Sequence, residues 1–172
     1  MTGQSERNLV PHSDIEAGLR PATESMTLLV AAVIVHDEQC GRVALLRRGP
    51  KAKFGRGMWD LPVGKAAPGE AITATAVREL QEETGLVVDE ADLRLVHVIH
   101  SSFGVESPTG FVTIVFAARR WRGELANLEP AKHDRVEWVD SAGIPVAFVD
   151  TTATALRSYL AGEVELSLDG WQ

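Results

Sequence analysis

Runs of branched apolar residues alternate with turn-rich segments along most of the chain. The run MTLLVAAVIVH, residues 26–36, predicts a buried strand, and the turn DEQCG separates it from a second predicted strand, RVALLRR. Together these segments predict a hairpin. The segment that follows, GPKAKFGRGMWDLPVG, is rich in glycine and proline, so it predicts a loop with one short strand at its end.

A helix is predicted over residues 70–84. This stretch contains no glycine or proline and is rich in Ala, Glu, Leu and Arg, which are good helix formers. Gly85 follows, and a glycine just past the last helical residue favours termination because it tolerates a positive φ.

The second half of the chain predicts three antiparallel strands and a second helix. The strands are LRLVHVIHSSF, FVTIVFAARRW and the shorter RVEWVD, with turn-rich segments between them. The helix is predicted over DTTATALRSYLAG, with Asp150 and Thr151 as candidate N-caps and Gly162 at its end. This order of elements predicts an α/β or α+β fold in which helices cover a mixed sheet.

The rest of the composition bounds the class of protein. Residues 1–25 contain few large apolar residues and predict an N-terminal arm, which leaves residues 26–172 as a single domain. The net charge of −7 disfavours a nucleic-acid-coating role. No apolar run has the length of a membrane span, Cys40 has no partner for a disulfide, and no signal peptide is recognisable. We therefore expect a cytoplasmic protein with no nucleic-acid or membrane partner.

Three glutamates in the predicted helix form an acidic cluster. Glu79, Glu82 and Glu83 stand at i, i+3 and i+4 and so lie within an arc of roughly 100° on an α-helix. Like charges at this spacing repel one another and weaken an isolated helix. A divalent cation would relieve that repulsion, and magnesium prefers such carboxylate oxygens together with water and substrate phosphates.

Two features beside the cluster favour the same chemistry. Gly64 and Gly69 precede the helix and allow the backbone to bend sharply and approach a ligand closely. Arg78 is a fixed cation that can orient a neighbouring carboxylate, with Glu70 and Glu82 in helical reach.

The complete spacing over residues 64–86 resembles the Nudix signature at every position. It consists of Gly64, five residues, Glu70, seven residues, Arg78-Glu79-Leu80, one residue, Glu82-Glu83, one residue, Gly85 and Leu86. The resemblance implies an α/β/α sandwich with a mixed sheet between helices. It also implies that these residues, which we call the box, form a loop, helix and loop on which a metal sits.

The resemblance also implies roles for the box residues. Glu79, Glu82 and Glu83 become the expected magnesium ligands or general base, and manganese is an alternative metal. By the same resemblance, Arg78 and Glu70 hold these glutamates in place. The carbonyl of Gly64 or Val63 faces the metal. Val63 itself departs from the second glycine that many members have before the box.

A further acidic ligand often comes from a distal loop in this family, and we assign it to Glu129 in NLEPAKHDRVEW. Related members often have a second acidic residue two positions after this glutamate, but this chain has Ala131 there. Asp134 and Glu137 therefore remain alternatives for the distal ligand.

Candidate substrate-binding residues come from several segments. The candidates are Lys132, Arg47 and Glu70. For Lys132 and His133 two interpretations are open: they contact phosphate, or they are surface residues without a function. Aromatic side chains can stack on a base but in strands more often belong to the core; this applies to Phe111, Trp121 and Trp138.

The resemblance to MutT-like members, supported by the NLEPAK segment, implies magnesium-dependent hydrolysis of a small nucleotide substrate. We expect cleavage of a diphosphate linkage, most simply of a nucleoside triphosphate, modified or not, to a monophosphate and pyrophosphate. Alternative substrates are ADP-ribose, a nucleotide sugar or another diphosphate, and a homodimer is an open possibility. Rival interpretations are a non-catalytic nucleotide sensor and a diphosphate isomerase, the latter disfavoured because Cys40 is far from the box in sequence.

Overall fold

A mixed eight-stranded sheet with one helix on each face makes up the fold in the computed structural model, which describes residues 27–171. The strands are β1 (Leu28–Asp37), β2 (Arg42–Arg48), β3 (Trp59–Asp60), β4 (Val63–Lys65), β5 (Arg94–Ser101), β6 (Phe111–Ala118), β7 (His133–Asp140) and β8 (Glu165–Asp169). The helices are α1 (Ile72–Thr84) and α2 (Asp150–Leu160), and a 3-10 turn spans Glu90–Asp92. The α/β prediction with a mixed sheet between helices is confirmed.

Strand β1 determines where the box lies. One edge of β1 pairs in parallel with β6 along the whole length of that strand. The other edge is shared, because Val30–Ala32 pair with β4 and only His36 and Asp37 pair with β2. The main path of the sheet is β3-β2-β1-β6-β5-β8, with β7 on β2. The division of this edge places β4, where the box begins, beside the centre of the sheet.

The sheet has an apolar core on each face. On one face, side chains of β1, β2 and β6 pack against α1. The buried residues of this cluster are Ala31, Val33, Val35, Ala44, Ala76, Leu80, Leu86, Val88, Leu93, Phe116 and Ala118. On the other face, a second cluster packs against α2. Its buried residues are Ala32, Ile34, Val43, Leu45, Leu61, Val96, Ile99, Val115, Ala117, Phe148, Ala153, Ala155 and Leu156. Burial of alternate residues of β1 on opposite faces follows from the twofold periodicity of a strand.

Helix α1 is confirmed, with a start two residues later than predicted. Glu70 lies before the helix, where its carboxylate accepts hydrogen bonds from the Ala67 N–H at 2.9 Å and the Thr75 hydroxyl at 2.8 Å. At the other end, Gly85 has φ 73° and its N–H donates to the Gln81 carbonyl, as predicted for a C-terminal glycine.

The capping predicted for α2 is wrong. Val149 is the residue before the first helical position and provides no side-chain cap, whereas Asp150 is already helical. The nearby Thr152 hydroxyl instead lies 2.6 Å from the Asp60 carboxylate.

Two strands differ from the prediction. The loop before the box contains two short strands, β3 and β4, rather than one. Strand β8 was not predicted at all, because it is a short edge strand in which both charged and apolar residues are largely exposed.

Asp60 connects β3 to two other elements. Its carboxylate is buried, with Thr152 of α2 on one oxygen and Arg48 of β2 at 3.1 Å from the other. Burial raises the pKa of Asp60, while the hydrogen bond from Thr152 and the charge of Arg48 oppose that rise. The strand that leads into the box is therefore fixed to α2 and to β2.

Within residues 27–171 no helix is long and apolar enough to cross a bilayer. The predicted arm, residues 1–25, lies outside the described residues.

Candidate metal and active site

The buried glutamate of the box is Glu83. It lies near the end of α1 and its side chain is 5% exposed. The Val63 N–H donates to Glu83 Oε2 at 2.9 Å, and His133 Nε2 lies 3.1 Å from Glu83 Oε1. Burial raises the pKa of Glu83, and the hydrogen bonds from His133 and Val63 oppose that rise. Strands β4 and β7 therefore both position this carboxylate.

A turn before β7 brings Glu129 to the same place. The N–H groups of Lys132 and His133 donate to the Glu129 carbonyl at 2.9 and 3.0 Å. Pro130 is the second residue of this turn, where the fixed φ of proline is favourable. Asn127 supports the turn, because its amide donates to the His133 carbonyl at 2.8 Å and its oxygen accepts from the Glu129 N–H at 3.2 Å.

The same segment is fixed to α1. The Ala126 N–H donates to the Thr84 carbonyl at 2.9 Å, and the Leu128 N–H donates to the Glu83 carbonyl at 3.2 Å. Backbone hydrogen bonds thus keep Glu129 close to the end of the helix that carries Glu83.

Glu83, Glu129 and His133 each offer a ligand atom, and these atoms lie within 4.8 Å of one another. Glu129 Oε1 pairs with Lys132 at 2.7 Å, whereas Glu129 Oε2 is buried and has no hydrogen-bond partner within residues 27–171. Leaving a buried carboxylate oxygen unpartnered is costly, so a ligand at this atom would be stabilising. Carboxylate oxygens are the donors that hard divalent cations prefer, and the donor set therefore fits such an ion.

Glu79 lies against the backbone of Gly64. A Cβ atom at position 64 would stand 1.8 Å from the Glu79 carboxyl carbon, so this approach requires glycine. The backbone at Gly64 thus approaches a box carboxylate, and its approach to a ligand stays a prediction. Because Val63 contacts Glu83 and Gly64 contacts Glu79, strand β4 lies against two carboxylates.

Arg78 connects the acidic residues, as the sequence predicts for a cation within reach of Glu70 and Glu82. It pairs with Glu70 at 2.7 Å, with Glu79 at 2.7 Å and with Glu82 at 3.2 Å. Its guanidinium also donates to the Lys65 carbonyl at 3.1 Å. Hydrogen bonds from Arg78, and after them those from the Ala67 N–H and the Thr75 hydroxyl, lower the pKa of Glu70 to about 2. The carboxylates of Glu70 and Glu79 in turn raise the pKa of Arg78.

The three predicted glutamates differ in depth. Side-chain exposure is 5% for Glu83, 14% for Glu79 and 52% for Glu82. Glu82 faces solvent and contacts Arg78 alone among the salt bridges of residues 27–171. The structure thus brings Glu83 and Glu129 together, places Glu79 beside Gly64, and leaves Glu82 at the rim.

The candidate substrate residues are already paired. Arg47 makes a two-pronged contact with Asp134, at 2.8 and 2.6 Å, and Lys132 pairs with Glu129. Of the distal acids considered, Glu129 alone joins the cluster found in residues 27–171, since Asp134 is held by Arg47 and Glu137 is exposed on β7.

His133 is the residue that sequence reasoning underestimated. Its surface alternative is wrong, because the side chain is 6% exposed and contacts Glu83. Strand β7 begins at His133, two residues before the predicted strand RVEWVD, so the inward position of His133 was not visible in the sequence pattern.

Trp121 and Trp138 pack against the α1-side core, which confirms the core interpretation for both. The rings of Trp121 and Trp138 are 5.1 Å apart, and the Arg42 guanidinium lies 4.8 Å from the Trp138 ring. They line an open cavity of about 470 Å³ at the Arg42 end of β2. His133 pairs with the other end of that strand, at Arg48, so this cavity is separate from the acidic cluster.

Comparison with known proteins identifies a family for the chain. The NUDIX domain family matches residues 26–157. An oxidized purine nucleoside triphosphate hydrolase of Danio rerio is 38% identical over 120 residues, which cover 69% of this chain and 69% of that protein. Nudix hydrolase 10 of Arabidopsis thaliana is 26% identical over 155 residues. The chain spans 54% of that protein's length, about half.

The fold has solved counterparts. A MutT NUDIX hydrolase from Burkholderia pseudomallei superposes with a TM-score of 0.67 at 24% sequence identity, over 77% of this chain and 97% of that one. At this identity the likeness concerns the fold alone. The match across residues 26–157 and the similarity to the Danio rerio protein together show that this chain belongs to the Nudix family.

Proposed function

We propose that this protein is a magnesium-dependent pyrophosphohydrolase that converts a nucleoside triphosphate to a nucleoside monophosphate and pyrophosphate. Manganese is the alternative metal. The observation that carries the proposal is the acidic pair of buried Glu83 and half-buried Glu129, whose ligand atoms lie within 4.8 Å of one another and of a ring nitrogen of His133. The unpartnered Glu129 Oε2 supports a cation between them.

Each residue of the cluster has a separate task in this proposal. Glu83 and Glu129 hold the metal together with Glu79, and Gly64 lets the Glu79 carboxylate approach the backbone. His133 orients Glu83 from the opposite side to Val63. Arg78 keeps Glu79 in place, and Glu70 keeps Arg78 in place.

A bound magnesium ion neutralises diphosphate oxygens and lowers the pKa of water, which makes that water a stronger nucleophile. The protein's own contribution is positioning: fixed carboxylates and the backbone of strand β4 determine which phosphorus faces the attacking water. In phosphoryl transfer most of the rate acceleration comes from such positioning and from charge stabilisation.

The substrate class is supported by the relatives. The Danio rerio protein is named for hydrolysis of oxidized purine nucleoside triphosphates, and it shares 38% identity with this chain. We infer a purine nucleoside triphosphate, modified or unmodified, as the first substrate to test. Nucleotide sugars and ADP-ribose are the alternative class, since the box handles the diphosphate and loops outside it recognise the rest of the molecule.

The test is hydrolysis of a panel of nucleotides with and without magnesium. We expect excess EDTA to abolish hydrolysis and added magnesium to restore it, because carboxylates alone cannot activate water beside a negatively charged diphosphate. Glu83→Gln should lower kcat by about 100-fold or more, since it removes a ligand charge but almost no volume.

The matched control is Glu163→Gln, the same change at an exposed position after α2. It should retain wild-type kcat, and both variants should keep the wild-type circular dichroism spectrum. Full activity in excess EDTA, or a Glu83→Gln enzyme within twofold of wild type, would contradict the proposal.

A further inference from the structure

One face of the sheet carries a row of side chains that runs across four strands. In the strand register these residues stand side by side: Leu29 of β1, Val112 of β6, His100 of β5 and Leu168 of β8. Residues paired across neighbouring strands point to the same face of a sheet. The four side chains therefore form one continuous surface, which we call the first row.

A second row lies two residues away on each strand. It consists of Ala31, Ile114, Val98 and Leu166. Ala31 belongs to the core beneath α1 and Ile114 packs against that core, so both rows are on the α1 face of the sheet. Burial decreases along the second row, since Ala31 is 1% exposed and Leu166 is 64% exposed. Helix α1 thus covers the β1 end of this face and leaves the β8 end open to solvent.

Trp171 extends the exposed surface beyond the end of β8. Its ring centroid is 4.6 Å from that of His100, and its indole N–H donates to the His100 carbonyl at 2.9 Å. The outer patch, as we call it, consists of exposed Leu29, Leu166, Leu168 and Trp171 with half-buried Val98 and Val112 between them. Apolar residues scattered singly over a surface are ordinary, but a contiguous exposed patch marks a binding surface.

The outer patch has the size of a short segment rather than of a subunit interface. It crosses three strand spacings, from β1 to β8, which is about 14 Å, and its two rows are about 7 Å apart. Stable protein–protein interfaces bury about 800 Å² on each partner, far more than such a strip provides. Pairing of β8 with β8 of a second copy is also disfavoured, because antiparallel alignment about Ser167 sets Glu165 against Asp169 and like charges repel.

The N-terminal arm enters the domain at this patch. Strand β1 begins at Leu28, and Leu29 is already in the first row. Apart from methionines, the large apolar residues of the arm all lie in residues 9–19, as Leu9, Val10, Ile15 and Leu19. Residues 20–26 connect this segment to the domain and are long enough to reach roughly 23 Å, which exceeds the width of the patch. A segment tethered so closely has an effective concentration in the millimolar range, so weak apolar contacts suffice to hold it.

We propose that residues 9–19 of the N-terminal arm dock on the outer patch of their own chain. The apolar side chains of that segment cover the β8 end of the patch, where Leu166, Leu168 and Trp171 are exposed. Removal of apolar surface from water is the driving force. Both cores of the sheet are formed by residues within 27–171, so docking adds a layer to the sheet and is not required for its folding.

The test uses the full chain with a spin label in the arm. The chain has a single cysteine, Cys40, which Cys40→Ser removes, and Ala17→Cys then provides the attachment point for a nitroxide inside the segment. The measurement is paramagnetic broadening of the methyl signals of Leu166 and Leu168. We expect both signals to lose most of their intensity, because a docked segment holds the nitroxide beside them. Signals that keep their intensity would overturn the proposal.

The controls are built from the same chain. A nitroxide on Cys40 of the otherwise unchanged chain lies in the turn between β1 and β2, at the end of β1 opposite Leu29, and should leave both signals intact. In the chain labelled at position 17, Ile15→Asp together with Leu19→Asp should restore both signals, because a carboxylate is costly on an apolar surface. Thr23→Asp adds a charge outside the segment and should not restore them. Broadening that survives the double variant would contradict docking through these side chains.

A mixture of two chains distinguishes docking within a chain from docking between chains. One chain carries the isotope label and no nitroxide, and the other carries the nitroxide at position 17 and no isotope label. We expect the Leu166 and Leu168 signals to keep their intensity in this mixture. Loss of these signals would show that a second copy supplies the segment, which would overturn the proposal.

Amide hydrogen exchange of β8 provides an independent readout that needs no label. We expect exchange of β8 to be about three- to tenfold faster in the double variant Ile15→Asp, Leu19→Asp than in wild type, because the docked segment no longer shields the strand. Equal exchange rates in the two proteins would contradict coverage of the outer patch.

Discussion

Glu79, Glu82 and Glu83 look equivalent on a helical wheel, yet their side chains range from 5% to 52% exposed. The wheel gives the direction of a side chain around the helix axis but not what lies opposite it. The depth of Glu83 is set by Val63 and His133, which come from strands distant in sequence. The sequence therefore predicted the acidic face of the helix but not how deeply each glutamate is buried.

Gly64 provides a direct residue-scale prediction. In Gly64→Ala the new methyl group would collide with the Glu79 carboxylate, which must move away because it is the flexible partner. We expect activity to fall by about 10- to 100-fold, the usual effect of disturbing groups that orient metal ligands. Initial-rate kinetics together with a thermal melt would show a large loss of activity and a small change in Tm.

The matched control is Gly143→Ala. A Cβ atom there would meet Asp140 at 3.8 Å, which is ordinary contact, and Gly143 has no positive φ. If Gly64→Ala is as active as Gly143→Ala, the close approach of Glu79 to the backbone has no part in catalysis.

At the scale of elements, the box helix was predictable because composition, carboxylate spacing and the terminal glycine all agree. The start of this helix was not predictable, because Glu70 forms hydrogen bonds with Ala67, Thr75 and Arg78 instead of joining the helix. Such a side-chain bridge depends on loop geometry that helix propensity does not describe.

Glu70 also gives α1 a pH-dependent stability. Its pKa is lowered to about 2 in the folded protein from an ordinary value of 4.5. A lowered pKa means that the ionised form stabilises the fold, fully above pH 4.5 and progressively less as the pH falls towards 2. Glu70→Gln should therefore have a lower Tm than wild type at pH 7.

The difference in Tm should shrink below about pH 5, because the Glu70 carboxyl group is protonated first in the unfolded chain and only near pH 2 in the folded protein. Thermal melts of both proteins across this range provide the measurement. A difference that stays constant between neutral and acid pH would show that Glu70 acts through packing rather than through its charge.

At the scale of the whole molecule, the class of fold followed from the order of predicted elements, but the sheet order did not. The hairpin of β1 and β2 exists through only two residue pairs, at His36 and Asp37, whereas the long parallel contact of β1 is with β6. Local sequence carries no signal for a parallel pairing between strands so far apart. The resemblance to a family, rather than periodicity, supplied most of the architecture.

The domain boundary leads to a prediction for the whole chain. Every described strand and helix begins at or after Leu28, and the family match begins at residue 26. We predict that removal of residues 1–20 leaves a folded and active domain, because the removed segment is poor in core-forming residues. Circular dichroism, thermal melts and hydrolysis rates would check this, and loss of soluble protein would show that the segment belongs to the core.

The central claim, that a nucleoside triphosphate is cut at an inner phosphorus, is tested most directly by the products. The measurement is hydrolysis of a purine nucleoside triphosphate in isotopically labelled water with magnesium, followed by mass analysis of both products. We predict a nucleoside monophosphate and pyrophosphate, with the label showing which phosphorus was attacked. A nucleoside diphosphate and inorganic phosphate as the only products would contradict the account, as would rapid nucleotide-sugar cleavage without any triphosphate turnover.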